Sequence, residues 1–277
     1  MKMRGVLISI NLQLIALVIG GVFIFTCVGQ PTNNKNDGGC KTRIPGCALT
    51  CGMVDDKDNL WFAAAGQGLY SYDGECFTSY KEAEALNGAK ISSITQDTDG
   101  NIWLGTTNGL CRYDGKIFTS ISIPWSDTSG VWLDEVYPIV NPNEVRCLLQ
   151  DKNGMFWLGT NGAGVYRYNP NASGKAGDEI FTQFLSERGR KQTDGLHHNV
   201  IESMIEDQAG NIWFTSLTHG GVSRYDGKSF RHFMPEDGLS DDMVRSIFET
   251  RDGNIWIGTN GNRKGGLDMY NPKTNQF

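Results

Sequence analysis

The residues of this sequence that could recognise or transform a ligand lie in its Gly-rich and polar loop segments. Aromatic side chains that stand beside polar groups suit flat ligands such as sugar rings, and imidazole or guanidinium groups suit polar or acidic ones. We therefore predict that these residues form the ligand-binding surface. The candidates are Trp125, Trp132, Tyr137, His197, His198, His219 and Arg263.

Each candidate also has a more ordinary interpretation, which the residues leave open. The aromatic residues could cap the hydrophobic ends of neighbouring sheets, and the histidines could be ordinary polar loop residues. Arg263, next to Lys264, could be part of a solvated basic pair.

Acidic turns raise the question of a metal site. The segment Asp97–Asn101 resembles the start of a calcium-binding loop, but the positions near Cys111 and Arg112 lack the glutamate that such a loop requires. Asp-Gly is also a common tight-turn pair because glycine tolerates a positive φ. We therefore predict no metal, and we expect four aspartates to accept backbone hydrogen bonds within the fold. They are Asp55, Asp97, Asp151 and Asp207.

Catalytic and cofactor motifs are absent from the sequence. It contains no Ser/His/Asp spacing, phosphate-binding loop, paired-carboxylate site or Cys/His zinc spacing above chance. The sequence predicts a binding protein without a cofactor and without enzymatic activity.

The elements that hold these loops are five copies of one pattern, which is the strongest signal in the chain. Successive repeat tryptophans lie 42, 54, 56 and 43 residues apart, so the basic unit has about 42 residues. Each tryptophan is followed by a Gly-rich turn and a segment that ends in tyrosine. The tryptophans are Trp61, Trp103, Trp157, Trp213 and Trp256.

Four short strands fit one unit. In the second copy we predict strand a at 91–96, strand b at 102–106, strand c at 110–113 and strand d at 117–121, separated by Gly, Asn and Asp turns. Strand b is apolar on consecutive residues, so both its faces must be buried. Radially stacked four-stranded blades provide that burial, and the predicted fold is an all-β β-propeller.

One strand a position supports radial packing because it is small in every copy. We expect it to lie near the axis, where bulky side chains would clash. The residues are Cys51, Ser93, Cys147, Ser203 and Ser246.

The insertions favour one face of the propeller. Because strands alternate in direction, the b–c turns and the d–a links emerge on the same face. The link after Phe118 is 13 residues longer than an uninterrupted link, and the link after Phe181 is six residues longer. With the long loop 260–266, three of four insertions share this face, and the fourth, 169–179, lies on the other.

The repeat resembles that of the two-component regulator propeller family, which reads roughly D-x-x-G-x-I-W-x-G-T-x-x-G-L-x-R-Y. Residues 97–113 match it best, and 207–225 and 252–270 match it more loosely. The resemblance implies a periplasmic sensor region of a membrane histidine kinase, of a type implicated in detecting polysaccharide breakdown products. Because the sequence shows no kinase, receiver or DNA-binding segment, signalling would need another protein or a missing C-terminal part.

Two other functions and the blade number stay open. Lyases that open cyclic peptide antibiotics have similar repeats, of which only 211–215 with His219 comes near, and a scaffold for protein assembly at the cell envelope is also compatible. The family usually has seven blades in a ring. The five copies over 47–277 indicate either a five-bladed ring with irregular closure or part of a longer array.

The N-terminus predicts export. Two basic residues precede an apolar stretch in residues 1–26, which is typical of a signal peptide. The stretch ends at Cys27, and residues 27–46 form a polar linker, so we predict a lipidated cysteine. A cleaved secretory signal and an uncleaved anchor are the alternatives. All three place the propeller outside the cytoplasm, at the periplasmic or outer surface of the cell envelope.

Cysteines and charge agree with that location. Six cysteines besides Cys27 are compatible with disulfides, whose connectivity the sequence leaves open. Cys51 and Cys147 are predicted to be small core residues, since a ring would hold them too far apart to bridge. The net charge of −6 disfavours a nucleic-acid partner.

Overall fold

The computed structural model describes residues 17–19, 22–24, 46, 48–81, 83–86, 88–124, 141–172, 179–184, 199–261 and 265–277. Almost all regular structure in these residues is β-strand, with two single-turn 3-10 helices at Glu84–Leu86 and Pro235–Asp237. Within these ranges the chain has no helix with the length and hydropathy needed to cross a membrane. The predicted all-β fold is confirmed.

Five antiparallel sheets follow one another along the chain, and each contains the strands of one sequence repeat. We call them blades 1 to 5 and name their strands a to d in chain order. Blades 1 to 4 have four strands and blade 5 has three. The strands, preceded by a hairpin of β1 and β2, are β1 (Leu17–Ile19), β2 (Val22–Ile24), β3 (Leu49–Val54), β4 (Leu60–Ala64), β5 (Gly68–Tyr72), β6 (Phe77–Ser79), β7 (Ile91–Gln96), β8 (Ile102–Thr106), β9 (Gly109–Tyr113), β10 (Phe118–Ile121), β11 (Val145–Gln150), β12 (Phe156–Thr160), β13 (Val165–Tyr168), β14 (Phe181–Phe184), β15 (Ser203–Glu206), β16 (Ile212–Thr215), β17 (Val222–Tyr225), β18 (Phe230–Phe233), β19 (Val244–Glu249), β20 (Ile255–Thr259) and β21 (Leu267–Tyr270).

The strand bounds predicted for the second copy agree with blade 2 to within one residue. Its turns depend on glycine, since Gly100 in the a–b turn has a φ of 83° and Gly109 at the b–c turn has a φ of 111°. Only glycine adopts this left-handed region without steric cost. The hairpin of β1 and β2 lies within the predicted export signal, and it leaves that prediction untested.

In blades 1 to 4 the small residue of strand a lines a cavity, and it also pairs with strand b of its own blade. Ser93 pairs with Gly105 across a β-bulge, and a Cβ on Gly105 would lie 2.3 Å from the Ser93 Oγ. A Cβ on Gly159 would likewise lie 2.4 Å from the Cys147 Sγ. The position is therefore small because of contact within the blade as well as its place near the axis.

The cysteine predictions are confirmed where the structure describes them. Cys51 and Cys147 are free, as is Cys111, and Cys76 is disulfide-bonded. Burial raises the pKa of Cys51 to about 12 and that of Cys111 to about 11. These thiols are therefore unreactive core residues.

Each of the first four repeat tryptophans is held by an aspartate six residues before it. The indole Nε1 donates to the carboxylate at 2.7 to 2.8 Å, in the pairs Asp55–Trp61, Asp97–Trp103, Asp151–Trp157 and Asp207–Trp213. The same carboxylates accept backbone N–H groups of the a–b turn, as predicted. We call this arrangement the Asp–Trp pair.

In the Asp55–Trp61 pair the hydrogen bonds also favour the charged carboxylate. Burial raises the pKa of Asp55, but hydrogen bonds from Asn59, Trp61 and Lys57 outweigh that effect and the net pKa is lowered. The pair therefore closes the a–b turn and satisfies a buried indole at the same time.

Each of these tryptophans also contacts the next blade. Its ring lies 5.7 to 5.9 Å from the strand c tyrosine of the following blade, centroid to centroid. The pairs are Trp61–Tyr113, Trp103–Tyr168, Trp157–Tyr225 and Trp213–Tyr270. The same tryptophan thus makes a hydrogen bond within its own blade and an aromatic contact with the next blade.

A second link between blades comes from the last residue of strand a, which is Gln96, Gln150, Glu206 or Glu249 in blades 2 to 5. Its side chain accepts a backbone N–H from the a–b turn of the preceding blade at 2.8 to 3.3 Å. In blade 1 this position is Val54, which is 48% exposed. The link is therefore made at all four interfaces between successive blades.

Blade 5 departs from the pattern. The repeat match in the fifth copy starts at Asp252, which lies four residues before Trp256. The position six residues before Trp256 is occupied by Thr250, so blade 5 has no Asp–Trp pair. Trp256 is only partly buried, whereas the other four repeat tryptophans are buried. The fifth copy therefore keeps the register of the repeat but lacks this hydrogen bond.

We expect loss of one Asp–Trp pair to destabilise the fold. In Asp207→Ala the buried indole N–H of Trp213 and the turn N–H of Asn211 lose their acceptor, which costs about 2–4 kcal/mol of unfolding free energy. Urea denaturation followed by circular dichroism measures the loss. Asp252→Ala, which removes an exposed carboxylate in the corresponding turn of blade 5, should leave the unfolding midpoint nearly unchanged. Equal midpoints for the two variants would contradict this role.

Candidate ligand-binding site

The five inner strands surround a cavity of about 990 Å³. Residues of β3, β7, β11, β15 and β19 all line it, so every blade contributes its strand a. Small side chains at the repeated strand a position leave this volume open. The cavity is large enough for an oligosaccharide-sized ligand.

Charged residues gather where the inner strands begin, on the face of the d–a links. The lining includes three cations, Lys90, Arg146 and Arg245, and two carboxylates, Glu144 and Glu202. In a chain of net charge −6, this locally cationic surface is the part suited to an acidic group on a ligand.

Glu202 lies at the centre of this cluster. Its Oε2 is 2.5 Å from the Arg146 Nη2, and its Oε1 is 3.8 Å from the Arg245 Nη1. Burial raises the pKa of Glu202, and the two arginines partly oppose that increase. One carboxylate thus interacts with two guanidinium groups. Because the side chain of Arg245 is 56% exposed, some of its N–H groups are available to donate hydrogen bonds to a ligand.

The second carboxylate is held by its own neighbours. The Asn161 Nδ2 donates to the Glu144 Oε2 at 2.9 Å, and the Ser92 Oγ lies 3.5 Å from its Oε1. These contacts join the b–c loop of blade 3 to strand a of blade 2. Glu144 is therefore held in place at the cavity rim.

His219 is the one predicted site residue within the described part of the chain. It follows strand b of blade 4, has a φ of 59°, and its Nδ1 lies 2.8 Å from the Asp242 Oδ1. Asp242 precedes Arg245 by three residues, and both belong to the segment that leads into strand a of blade 5. The structure therefore places His219 on the same face as the charged cluster.

The other six predicted site residues lie outside the described residues, so their role stays a prediction. They are Trp125, Trp132, Tyr137, His197, His198 and Arg263. Three segments contain them, 125–140, 185–198 and 262–264, and the described residues that flank these segments lie on the face of the charged cluster.

Sequence reasoning missed the charged cluster. Arg146, Glu202 and Arg245 each occupy the position directly before the repeated small residue of strand a. The same position is Thr50 in blade 1 and Ser92 in blade 2. The charges at this one repeat position alternate in sign over three successive copies, as Arg146, Glu202 and Arg245. That pattern in the sequence could have identified the charged cluster.

Among the described residues, no group of three or more His, Cys, Asp and Glu side chains is arranged to hold a metal ion. The Asp-rich turns instead use their carboxylates for the Asp–Trp pairs. The described geometry therefore offers ionic and hydrogen-bonding recognition of a polar ligand.

A comparison of the sequence with models of known protein families agrees with the propeller fold. The sequence model described as "Two component regulator propeller" matches residues 85–108, 140–162 and 238–261. Each match includes a strand a and much of the strand b that follows. Three segments of this β-propeller therefore match the two-component regulator propeller repeat, and the predicted resemblance is confirmed.

Similar proteins belong to signalling systems and are longer. "Histidine kinase P4" of Formosa agariphila is 29% identical over 93 residues, which cover 34% of this chain and 6% of the relative. The extracellular domain of a hybrid two-component system from B. thetaiotaomicron has a TM-score of 0.66 at 21% identity, over 97% of this chain and 34% of that one. This chain thus spans about a third or less of these relatives.

A lyase has the same fold. Virginiamycin B lyase from Staphylococcus aureus matches with a TM-score of 0.55 at 15% identity, over 81% of this chain and 71% of that chain. At this identity the likeness concerns the fold alone. Both structures therefore confirm the propeller fold.

We expect Glu202→Gln to change how stability depends on pH. Since burial raises the pKa of Glu202 above its ordinary value of 4.5, its contribution to stability is present below that value and is lost as pH rises through the raised pKa. The glutamine variant cannot ionise, so its unfolding free energy should gain on that of the wild type as pH rises above 4.5. Urea denaturation across this range measures the difference.

The exposed Glu84, which does not line the cavity, supplies a control. Glu84→Gln should follow the wild-type pH profile. A Glu202→Gln profile parallel to that of the wild type would show that Glu202 is not desolvated.

Proposed function

We propose that this protein is an extracytoplasmic ligand-sensing domain of a two-component signalling system, and that its ligand binds at the charged mouth of the central cavity. The observation that carries the proposal is the cluster of Arg146, Glu202 and Arg245 on three successive inner strands. A ligand that contacts these residues would contact three blades at once, so binding could change how the blades pack.

An oligosaccharide suits this site. The cavity of about 990 Å³ is polar at its rim, and its partly exposed Arg245 can donate paired hydrogen bonds to a carboxylate or sulfate. The predicted aromatic residues Trp125, Trp132 and Tyr137 would add stacking surfaces for sugar rings. The signalling partner would be a membrane protein, in keeping with the histidine kinase among the relatives.

The ligand proposal is tested by binding. A glycan array followed by calorimetry, with neutral and acidic oligosaccharides as probes, should identify a ligand for the purified chain. Arg245→Ala should weaken that binding at least tenfold, because the ligand loses a charge-assisted pair of hydrogen bonds. Absence of binding across the array would count against the proposal.

A matched control is available in the same blade. Arg251 is exposed in the a–b turn of blade 5, on the face opposite the cavity mouth. Arg251→Ala should bind the probe as the wild type does. Equal losses in Arg245→Ala and Arg251→Ala would indicate a nonspecific charge effect.

We further propose that Cys27 carries a lipid that holds the domain at the cell envelope. An apolar stretch that ends at a cysteine before a polar linker supports this. Expression with a labelled fatty acid should label the protein, and Cys27→Ser should abolish the label. A wild-type chain that is secreted without label would support a cleaved signal, and one retained in membranes without label would support an uncleaved anchor.

A further inference from the structure

The cavity changes its chemistry along the inner strands. In blades 3 and 5 an arginine lies directly before the small residue of strand a, and an apolar residue lies directly after it. Arg146 is thus followed by Leu148, and Arg245 by Ile247, and all four residues line the cavity. A strand rises about 3.3 Å per residue, so each arginine and its apolar neighbour are no more than roughly 7 Å apart along the strand. The charged mouth therefore leads to an apolar interior.

Two β-bulges place the arginines at the mouth. The pairing of strand a with strand b skips Arg146 in blade 3 and Arg245 in blade 5. A bulge redirects the side chain of the extra residue. Both guanidinium groups line the cavity and form ion pairs with Glu202. The bulges therefore add cations at the mouth and leave the apolar side chains of the same strands in the interior.

Every blade contributes an apolar side chain to the interior. Met53, Ile94 and Leu148 are half-buried residues that line the cavity, so part of their surface is open to a ligand. Met204 and Ile247 complete the set in blades 4 and 5. Transfer of an apolar ligand group from water to this surface is favourable.

The interior offers little to a charged group. Among the described residues that line the cavity, every charged side chain lies at the mouth. The amide of Gln96 is already paired with Asp56, since its Oε1 accepts the backbone N–H at 2.8 Å and its Nε2 donates to the carboxylate at 2.7 Å. Burial raises the pKa of the Cys51 and Cys147 thiols, which are therefore neutral. A ligand that fills this cavity thus has an acidic end and an apolar end.

We propose that the cavity binds an amphipathic acid, in which a carboxylate or sulfate is joined to an aryl or alkyl group at the spacing of Arg245 and Ile247. The acidic group pairs with the exposed guanidinium group of Arg245, and the apolar group lies against Met53, Ile94 and Leu148. This inference rests on the proposed function and narrows its ligand to an acidic saccharide that carries an aryl or alkyl substituent. An aromatic acid without a sugar shares this chemistry, and the probes distinguish the two sources.

Four probes separate the parts of such a ligand. para-Nitrophenyl glucuronide has the carboxylate, the sugar and the aryl group. Glucuronate lacks the aryl group, para-nitrophenyl glucoside lacks the carboxylate, and para-nitrobenzoate lacks the sugar. In calorimetry with the purified chain, the glucuronide should bind about tenfold more tightly than glucuronate or the glucoside, because aryl burial and the guanidinium pair each add affinity. It should also bind more tightly than para-nitrobenzoate.

Methionine methyl groups locate the aryl group without any change to the protein sequence. With isotope-labelled methyl groups, the glucuronide should shift the resonances of Met53 and Met204, since both line the cavity and the aryl ring current acts at short range. Met155 and Met269 do not belong to the described lining and should keep their positions. Glucuronate should leave all four resonances nearly unchanged.

Variants separate the two ends of the site. Met53→Gln should weaken glucuronide binding several-fold and leave glucuronate binding unchanged, because it replaces apolar surface in the interior by a polar amide. Met155→Gln changes a half-buried methionine outside the described lining and should bind both probes as the wild type does. Arg245→Ala should weaken the glucuronide and glucuronate alike and leave the glucoside unchanged.

The inference fails if the glucuronide and glucuronate bind equally well, or if Met155 and Met269 shift as much as Met53. The proposed function survives either result as long as an acidic saccharide still binds in a way that depends on Arg245. Equal binding of para-nitrobenzoate and the glucuronide would contradict a saccharide ligand. Loss of Arg245 dependence for every acidic probe would contradict the proposed function itself.

Discussion

The structure depends on the hydrogen bond between a buried indole and the aspartate six residues before it. Neither group could be buried alone at acceptable cost, because an indole N–H without an acceptor and a carboxylate without donors are both strongly destabilising in an apolar interior. Together they fix the a–b turn, set the tryptophan ring at the blade surface and offer it to the tyrosine of the next blade. Because this arrangement is repeated, the same residues that form each turn also hold each sheet against the next one.

The same arrangement explains why function is confined to the inner strands and the loops. Because a blade that lies between two others uses both its faces for packing, few of its positions are free to vary without loss of stability. The starts of the inner strands escape this constraint, since they face the cavity and meet no neighbouring sheet. There Arg146, Glu202 and Arg245 replace the hydroxyl residues of blades 1 and 2. Burial of Glu202 between two arginines sets the charge of the cavity mouth.

Blade 5 shows what happens where the arrangement is incomplete. Thr250 cannot accept the indole N–H as a carboxylate does, strand d is not formed among the described residues, and Trp256 is left partly exposed with Phe248 and Met269 beside it. These three departures concern the same face of one sheet. The interaction that joins successive blades is therefore not repeated on this face of blade 5 among the described residues.

The sequence by itself determined the repeat, the strand order, the turns and the class of fold. Those features follow from local chemistry that recurs about every 42 residues, such as Gly100 at a positive φ and the consecutive apolar residues of strand b. It also indicated that the repeated aspartates serve the fold rather than a metal.

Only the tertiary structure decided which side chains meet across blades. Arg146, Glu202 and Arg245 are about 50 residues apart along the chain, and no local pattern shows that radial packing brings them to one cavity. The partner of each aspartate and the exposure of Trp256 were likewise decided by packing. The physical reason is that one repeat determines the fold of one blade only. A site at the axis is formed by side chains from several blades, and the sequence of one blade does not specify which residues the other blades place beside its own.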